Sequence, residues 1–322
     1  MPGRILITGI TGFAGSHLAE RLVAGGAEVH GFALEEPPFP NLASVAGDVH
    51  VHRGDITSLD DLRSAMRAAR PDVVVHLAGQ AVPTLAARDP VAAVRVNVLG
   101  TAAVLAALSE RPESALVLAS SGDVYGTPER SPVTEDAAIA PTNPYAATKV
   151  AAEALARELG DREGRAVVIL RPTNQIGPRQ HPALAASAFA KQVAEAEVGR
   201  AEPVVRHGSL DARRDFLDVR DMADAYARAA QIREPGAQIF NVGTGRAVGI
   251  DEILTTLIGL ARFPIRAELD PARVRAGVAP ALALDASRFR ARTGWEARTP
   301  LETSLRDLLD YWRARVREGA RV

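Results

Sequence analysis

The sequence predicts an α/β protein built on a doubly wound parallel sheet, with a smaller C-terminal lobe attached to it. Three observations carry that prediction. Short apolar runs alternate with helical patterns from the first residues, as right-handed βαβ units require. The first apolar run passes directly into a glycine-rich turn, Gly9-Ile10-Thr11-Gly12-Phe13-Ala14-Gly15-Ser16, and an amphipathic helical pattern follows it. A tyrosine and a lysine stand four apart in Tyr145-Ala146-Ala147-Thr148-Lys149, in a chain with only two lysines, Lys149 and Lys191, among 38 basic residues.

Candidate strands run from Arg4 to Thr8, Glu28 to Ala33, Val49 to Arg53, Val73 to Leu77, Leu116 to Ser120 and Val167 to Leu170. The helices between them are expected at Gly12 to Ala24, Leu59 to Ala69, Val91 to Leu108 and Tyr145 to Leu159. After Pro172 the rhythm loosens. Helices are expected from Pro182 to Val198, Val219 to Arg233 and Ile250 to Leu260, with strands at Val204 to Arg206 and Ile239 to Val242. An amphipathic helix closes the chain from Leu301 to about Val316, and no internal repeat or long linker interrupts it.

At 322 residues the chain is long enough to bury one large or two modest cores. A net charge of -1 excludes the basic excess of a nucleic-acid-binding protein. Cysteine is absent, which excludes disulfides, thiol catalysis and cysteine zinc sites and fits a reducing cytoplasm. The seven histidines form no pair with ligand spacing, so no metal site is expected, and His50 and His52 read as structural or solvated strand residues. The run from Met1 to Thr8 reads as a buried strand rather than a signal peptide. No uninterrupted apolar stretch nears the roughly 20 residues of a membrane span, so a cytoplasmic protein with no membrane partner is expected.

Glycines between a first strand and a first helix permit a tight turn and let backbone N–H groups meet a pyrophosphate at the positive helix end. The spacing here is Gly-x-x-Gly-x-x-Gly, and it makes Gly9, Thr11, Gly12, Phe13, Ala14 and Gly15 candidate cofactor contacts. The end of the second strand, which in such folds separates NAD(H) from NADP(H), reads Ala33-Leu34-Glu35-Glu36 with no arginine nearby. Two carboxylates would repel a 2′-phosphate, which favours NAD(H) while leaving NADP(H) open.

Lysine is kept in an arginine-rich chain where a compact, movable ammonium is needed and a planar guanidinium would not serve. On a helix Lys149 shares a face with Tyr145, where its charge favours the ionised phenol. Ser121, at the end of the fifth strand in Ser120-Ser121-Gly122-Asp123-Val124-Tyr125-Gly126, adds a hydroxyl where ligands bind in parallel sheets. Together Ser121, Tyr145 and Lys149 form a proton-handling set for a carbonyl or an alcohol.

These residues, with Gly54-Asp55-Ile56, His76-Leu77-Ala78-Gly79-Gln80 and Val96-Asn97-Val98-Leu99-Gly100-Thr101, resemble the extended short-chain dehydrogenase/reductase family over essentially the whole chain. The resemblance implies a Rossmann-type sheet, a nicotinamide cofactor and a nucleotide-linked sugar. It puts Asp55 and Ile56 by the adenine, Leu77, Ala78 and Gly79 along the cofactor, Asn97 in support of it, and Ser121, Tyr145 and Lys149 at the reacting carbon, with Gln80 on the substrate side. It also implies a dinucleotide domain over 1–172 to which 211–245 returns, a sugar-nucleotide lobe mainly over 173–210 and 246–322, and a homodimer formed through the helices Val91 to Leu108 and Tyr145 to Leu159.

Within the family the chain is similar to the reductases that convert GDP-4-dehydro-6-deoxy-D-mannose to GDP-D-rhamnose, on Arg171-Pro172-Thr173-Asn174-Gln175-Ile176-Gly177-Pro178, Ala212-Arg213-Arg214-Asp215-Phe216 and Thr293-Gly294-Trp295. That likeness implies contacts to the sugar nucleotide from Asn174, Arg214 and Arg275, the arginines gripping its diphosphate, with Lys191 a further candidate. The chain departs from those reductases at Thr173 and Gln175, at Val82 to Ala87 and at Ala276 to Pro280, all on the substrate side. A 4-epimerase is the chief alternative. A 4,6-dehydratase needs acids after the catalytic hydroxyl, where this chain has Gly122 and Asp123 and so keeps one carboxylate. A non-catalytic dinucleotide-binding scaffold would have no need of the tyrosine and lysine.

Overall fold

A computed structural model describes residues 3–274 and 281–319. Its first half runs β1 (Arg4–Thr8), α1 (Phe13–Ala24), β2 (Glu28–Ala33), β3 (Val49–Arg53), α2 (Leu59–Ala69), β4 (Val73–His76), α3 (Pro83–Arg88), α4 (Pro90–Val94), a π-helical turn (Arg95–Leu99), α5 (Gly100–Leu108), β5 (Ala115–Ala119), α6 (Pro144–Glu163) and β6 (Ala166–Pro172). The second half adds β7 (Asn174–Ile176), α7 (Ala185–Glu197), β8 (Val204–His207), β9 (Arg213–Asp218), α8 (Val219–Ala229), β10 (Gly236–Val242), β11 (Ala247–Gly249), α9 (Ile250–Gly259), β12 (Arg266–Leu269), α10 (Ser287–Thr293) and α11 (Leu301–Arg317).

Strands buried on both faces read as continuous apolar runs, and Ile5, Leu6 and Ile7 of β1 are fully buried. The central sheet is parallel, in the order β10-β6-β5-β4-β1-β2-β3. Six of its strands are those expected. The seventh, β10, arrives from the second half and pairs with β6. Chain direction across the sheet reverses between β1 and β4, and a crevice opens at such a switch point beyond the carboxyl ends of the strands. Helices α1 and α8 cover one face through Leu18, Leu22, Met222 and Tyr226. Helices α2, α5 and α6 cover the other through Leu62, Met66, Val104, Leu108 and Leu159.

A third core gathers α7, α9 and α11 around Phe189, Val193, Leu257, Leu308 and Trp312, whose indole N–H donates to Ser187 Oγ at 2.9 Å. Between this core and the large sheet lies a three-stranded sheet in the order β11-β9-β7, and β8 pairs with β12 beside the third core. Asp215 of β9 is fully buried and accepts from the Thr244 amide and hydroxyl and from the amides of Gly245 and Leu284. Its carboxylate ties β9 to the turn after β10. Segments 219–242 thus return to the large sheet, whereas β9 itself stays with β7 and β11.

The helix expected from Val91 to Leu108 is present but not regular. Arg95–Leu99 form a π-turn between α4 and α5, a wide turn that inserts a residue and re-aims side chains. Among the described residues, Pro90–Leu108 is the one helical run long and apolar enough to cross a membrane, and 50% of it is buried. From sequence alone Arg95 and Asn97 break that run. Helix α6 starts where Asn143 Oδ1 accepts from the Ala146 amide and Pro144 presets the backbone, and ends at Gly164 with a left-handed φ of 62°.

The junction of α5, β5 and β6 is held by Arg165. Its buried guanidinium donates to the carbonyls of Leu108, Arg111 and Ser114 and to the Glu163 carboxylate. Arg165→Ala strands those acceptors without a donor, and should lower the unfolding free energy by about 3 kcal/mol or more, read from the denaturant midpoint.

Candidate active site

The glycine turn closes on itself. Gly9 has a left-handed φ of 72°, and a Cβ on Gly15 would lie 2.2 Å from the Gly9 carbonyl oxygen and 2.8 Å from Ile10 Cα. The helix can sit against the strand end only because Gly15 has no side chain. Gly12 caps α1 in an extended conformation with no side-chain hydrogen bond, so no side chain covers the amides of the first turn. Thr11 is held from two sides: its hydroxyl donates to Glu35 at 2.9 Å and its carbonyl accepts from Asn41 at 2.9 Å. A bare helix N-terminus beside a glycine turn at the sheet's switch point fits the diphosphate of a dinucleotide.

Beside the end of β2 an arginine does stand. Arg53 of β3 lies opposite Ala33 and pairs with Glu36 at 2.6 Å. It is absent from the sequence neighbourhood because it comes from the adjacent strand. Asp55 follows β3, and its Oδ1 accepts from both the amide and the hydroxyl of Thr57 at 2.8 Å. Those bonds hold its carboxyl below the usual range. Ile56 packs towards Gly100, where a Cβ would meet its Cγ2 at 3.1 Å.

Across the switch point, Leu77, Ala78 and Gly79 leave β4 and pass over Asn97. The π-turn points the Asn97 side chain inward, where Oδ1 accepts from the Gln80 amide at 2.7 Å and Nδ2 donates to Thr148 Oγ1 at 2.9 Å. Thr148 in turn donates to the Tyr145 carbonyl at 2.7 Å. A Cβ on Gly79 would fall 2.8 Å from Asn97 Oδ1 and 3.7 Å from Lys149 Nζ. Below this layer, His76 bridges Thr8 and Thr101 at 2.7 and 3.0 Å. Burial, aided by the Lys149 charge, pushes its pKa down to about 3, so it is neutral at physiological pH.

Ser121, Tyr145 and Lys149 come together as expected. The Ser121 hydroxyl lies close enough to the Tyr145 phenol to act on its pKa, and accepts from the Asp123 amide at 3.1 Å. Lys149 Nζ donates to the Ala119 carbonyl at 2.8 Å and lies 5.9 Å from the centre of the Tyr145 ring. Burial lowers the Lys149 pKa to about 8, opposed by the Glu153 carboxylate. Burial raises that of Tyr145, the nearby Asp123 carboxylate raises it further, and the Ser121 hydroxyl opposes both. Burial also raises Asp123, with Arg214 opposing. Arg214 therefore faces the site, and its Nη1 donates to the Arg213 carbonyl at 2.8 Å. Asn174 stands on β7, which pairs with β9 beside Arg214.

One candidate falls elsewhere. Lys191 lies in the α7–α11 packing, with its ammonium 5.5 Å from the Trp312 ring centre and 3.9 Å from Glu195, so the structure does not bring it to this cluster. Arg275 lies outside the described residues. Arg213 and Arg220 form ion pairs with Glu252 and with Asp218 and Asp307. The sequence motifs contain Thr148 and His76 without indicating a role for either, and Glu153 stands outside them. Glu153 was findable, as a lone carboxylate one turn beyond Lys149 on the same alanine-rich face.

The family model described as GDP-mannose 4,6 dehydratase matches residues 6–308. This chain belongs to that family. Its members are extended short-chain dehydrogenases/reductases, enzymes that use nicotinamide dinucleotides on nucleotide sugars. Within the family, the chain is 36% identical to a GDP-6-deoxy-D-mannose reductase of Pseudomonas aeruginosa over 99% of this chain and 100% of the relative. It is 33% identical to a UDP-glucose 4-epimerase of Mycolicibacterium smegmatis, covering 96% and 98%. Among solved structures, RMD from Pseudomonas aeruginosa complexed with NADPH matches with a TM-score of 0.83 and 32% identity, over 97% of this chain and 99% of that one. The Thermus thermophilus UDP-glucose 4-epimerase in complex with NAD matches at 0.84 and 31%, over 96% and 99%.

The contact at Gly15 makes the cofactor cradle testable. Gly15→Ala must push the Gly9 carbonyl away, so affinity for NAD(H) and NADP(H) should fall by about tenfold or more in calorimetric titration, with about 1–3 kcal/mol lost in stability.

Proposed function

We propose that this enzyme reduces the C4 keto group of a nucleotide-linked 4-keto-6-deoxyhexose, with GDP-4-dehydro-6-deoxy-D-mannose as substrate and GDP-D-rhamnose as product. The observation that carries the chemistry is the contact between Ser121 and Tyr145 beside the buried Lys149 ammonium. The GDP-linked substrate is supported by the 36% identical reductase. When bound, the reduced nicotinamide supplies the hydride. Tyr145 then gives its proton to the oxygen that becomes the new hydroxyl, while Ser121 hydrogen-bonds that oxygen as charge develops on it. A phenol whose pKa burial has raised is protonated at the outset, which suits an acid in the reductive direction.

In this reading residues 1–172 with 219–242 mainly serve the dinucleotide, and 173–218 with 243–322 mainly the sugar nucleotide. Gly9 to Gly15, Asp55, Ile56, Leu77 to Gly79 and Asn97 line the former. Asn174, Arg214 and Gln80 serve the latter, with Asp123 as a buried carboxylate beside the phenol. Glu35 and Glu36 favour NAD(H), since Glu36 already neutralises Arg53. Epimerisation at C4 is the second reading, supported by the epimerase relatives. Such a reaction keeps its cofactor through the cycle and needs none added. A nucleotide sugar and a reduced nicotinamide are metabolites of the cytoplasm, where we place the protein.

Assembly as a homodimer is supported by the outer face of the long helical run and α6. Val91, Val94, Leu99 and Leu155 stand exposed there, Val91 at 77%. Light scattering should give a dimer for the native chain and a monomer for Val94→Glu.

Incubation with GDP-4-keto-6-deoxymannose and each reduced cofactor separately should consume one of them and yield a single 4-hydroxy product. Isomerisation of a 4-hydroxy sugar nucleotide without added cofactor would favour the epimerase instead. Tyr145→Phe should cut turnover by about 10²–10⁴-fold with little change in cofactor binding, whereas Lys149→Arg should damage both. Near-normal rates in Tyr145→Phe would sink the acid assignment.

A further inference from the structure

Beneath the Ser121–Tyr145–Lys149 cluster lies a second set of charged groups that the chemistry above does not use. Glu153, on the turn of α6 after Lys149, is 4% exposed, and Arg171 at the end of β6 is 3% exposed. Arg171 Nε and Nη2 grip the Glu153 carboxylate at 2.9 and 2.6 Å. The Ser120 hydroxyl donates to the same carboxylate at 2.5 Å. Arg171 Nη1 donates to the Tyr125 hydroxyl at 2.8 Å, and Tyr125 donates to Asn241 Oδ1 of β10 at 2.7 Å. One buried carboxylate therefore joins helix α6, the end of β5 and the end of β6, and the network continues to the edge strand.

We infer that Glu153 is a positioning residue for the reaction, holding the helix that carries Tyr145 and Lys149 in register with the strand end that carries Ser121. The inference rests on the reading of those three residues as the proton-transfer set. The tie is short on both sides: Ser120 is the residue before Ser121, and Ala119, which accepts from Lys149, is the one before that. Arg171 stands two residues before Thr173, at the root of β7 with Asn174. The same pair thus also fixes where the β7 arm leaves the sheet.

A buried ion pair with a full set of hydrogen bonds specifies geometry more reliably than it adds stability. Its second effect is electrostatic. The groups around Lys149 are neutral His76 from β4, Tyr145 and Glu153 from its own helix, Asp123 of the turn after β5, which acts on Tyr145, and Arg171 from β6 behind Glu153. Of these, Glu153 is the group that opposes the loss of the Lys149 proton on burial. Replacing the carboxylate leaves Arg171 as an unbalanced cation near Lys149, and both changes lower the lysine pKa. A rate that needs the ammonium falls as pH rises through that pKa, so its alkaline limb moves to lower pH.

The scarcity of lysine makes this measurable without substrate. Enzyme labelled with ¹³C at lysine Cε contains only Lys149 and Lys191 as reporters. Lys149 should titrate near pH 8 in the native enzyme, and about one unit lower in Glu153→Gln. Lys191 should not move, and Glu153→Asp should restore most of the shift. Ser120→Ala keeps the ion pair but cuts the tie to β5. It should retain cofactor affinity and KM while kcat falls about tenfold, as expected for an interaction made only in the transition state. An unmoved Lys149 titration in Glu153→Gln, or native kcat in Ser120→Ala, overturns the inference. Should Glu153→Gln fail to fold, Ser120→Ala decides alone. Native turnover in Tyr145→Phe would instead overturn the underlying assignment of the proton-transfer set, whatever the Glu153 variants show.

Discussion

A buried ammonium is costly to keep charged, and the ends of the central strands are arranged around the one this molecule keeps. Lys149 is 8% exposed, reaches the Ala119 carbonyl and has a carboxylate one helical turn away. Tyr145 shares the helix face, Asn97 contacts Thr148 between them, and Gly79 has room for no side chain because the Asn97 side chain fills the space. The position of the Tyr145 phenol is thus decided by backbone carbonyls and buried polar pairs rather than by flexible surface groups.

Around this fixed centre the molecule divides its labour by layer. Close-packed apolar side chains hold the sheet and the helices on its two faces, and the glycine turn brings backbone amides to the switch point. The arms that approach the site from the second half are held differently. Asp215 collects four donor contacts, three of them from loop amides, to fix β9, and Asn174 bonds the Asp215 carbonyl. Polar locks of this kind specify a loop where little apolar surface is available to bury.

The central sheet was legible because parallel strands buried on both faces write continuous apolar runs, and because glycine and proline punctuate them. Local pattern marks β10 as a strand but not its place in that sheet, because pairing with β6 is a long-range contact; only the family resemblance, which returns 211–245 to the dinucleotide domain, pointed there. The short strands β7, β9, β11 and β12 were missed. They carry polar residues such as Arg213, Arg214 and Asn174, and owe their pairing to neighbours rather than to propensity. In the site, Ser121, Tyr145 and Lys149 were readable from spacing and composition. Arg53 was not, because it reaches the end of β2 from the next strand. Lys191 was a candidate from lysine scarcity and its place on the helix after the Arg171–Pro178 loop, neither of which records that its ammonium packs over Trp312.

The wide turn at Arg95–Leu99 couples two surfaces that have no direct contact. Each residue added to or removed from a helix rotates everything beyond it by about 100°. Taking one residue out of this turn would restore regular winding, but would swing Asn97 off the Gln80 amide or rotate the outward face bearing Val91 and Val94. The number of residues between those faces is consequently harder to change than their identity. Insertions and deletions should be tolerated in the loops at either end of Pro90–Leu108 long before they are tolerated within it.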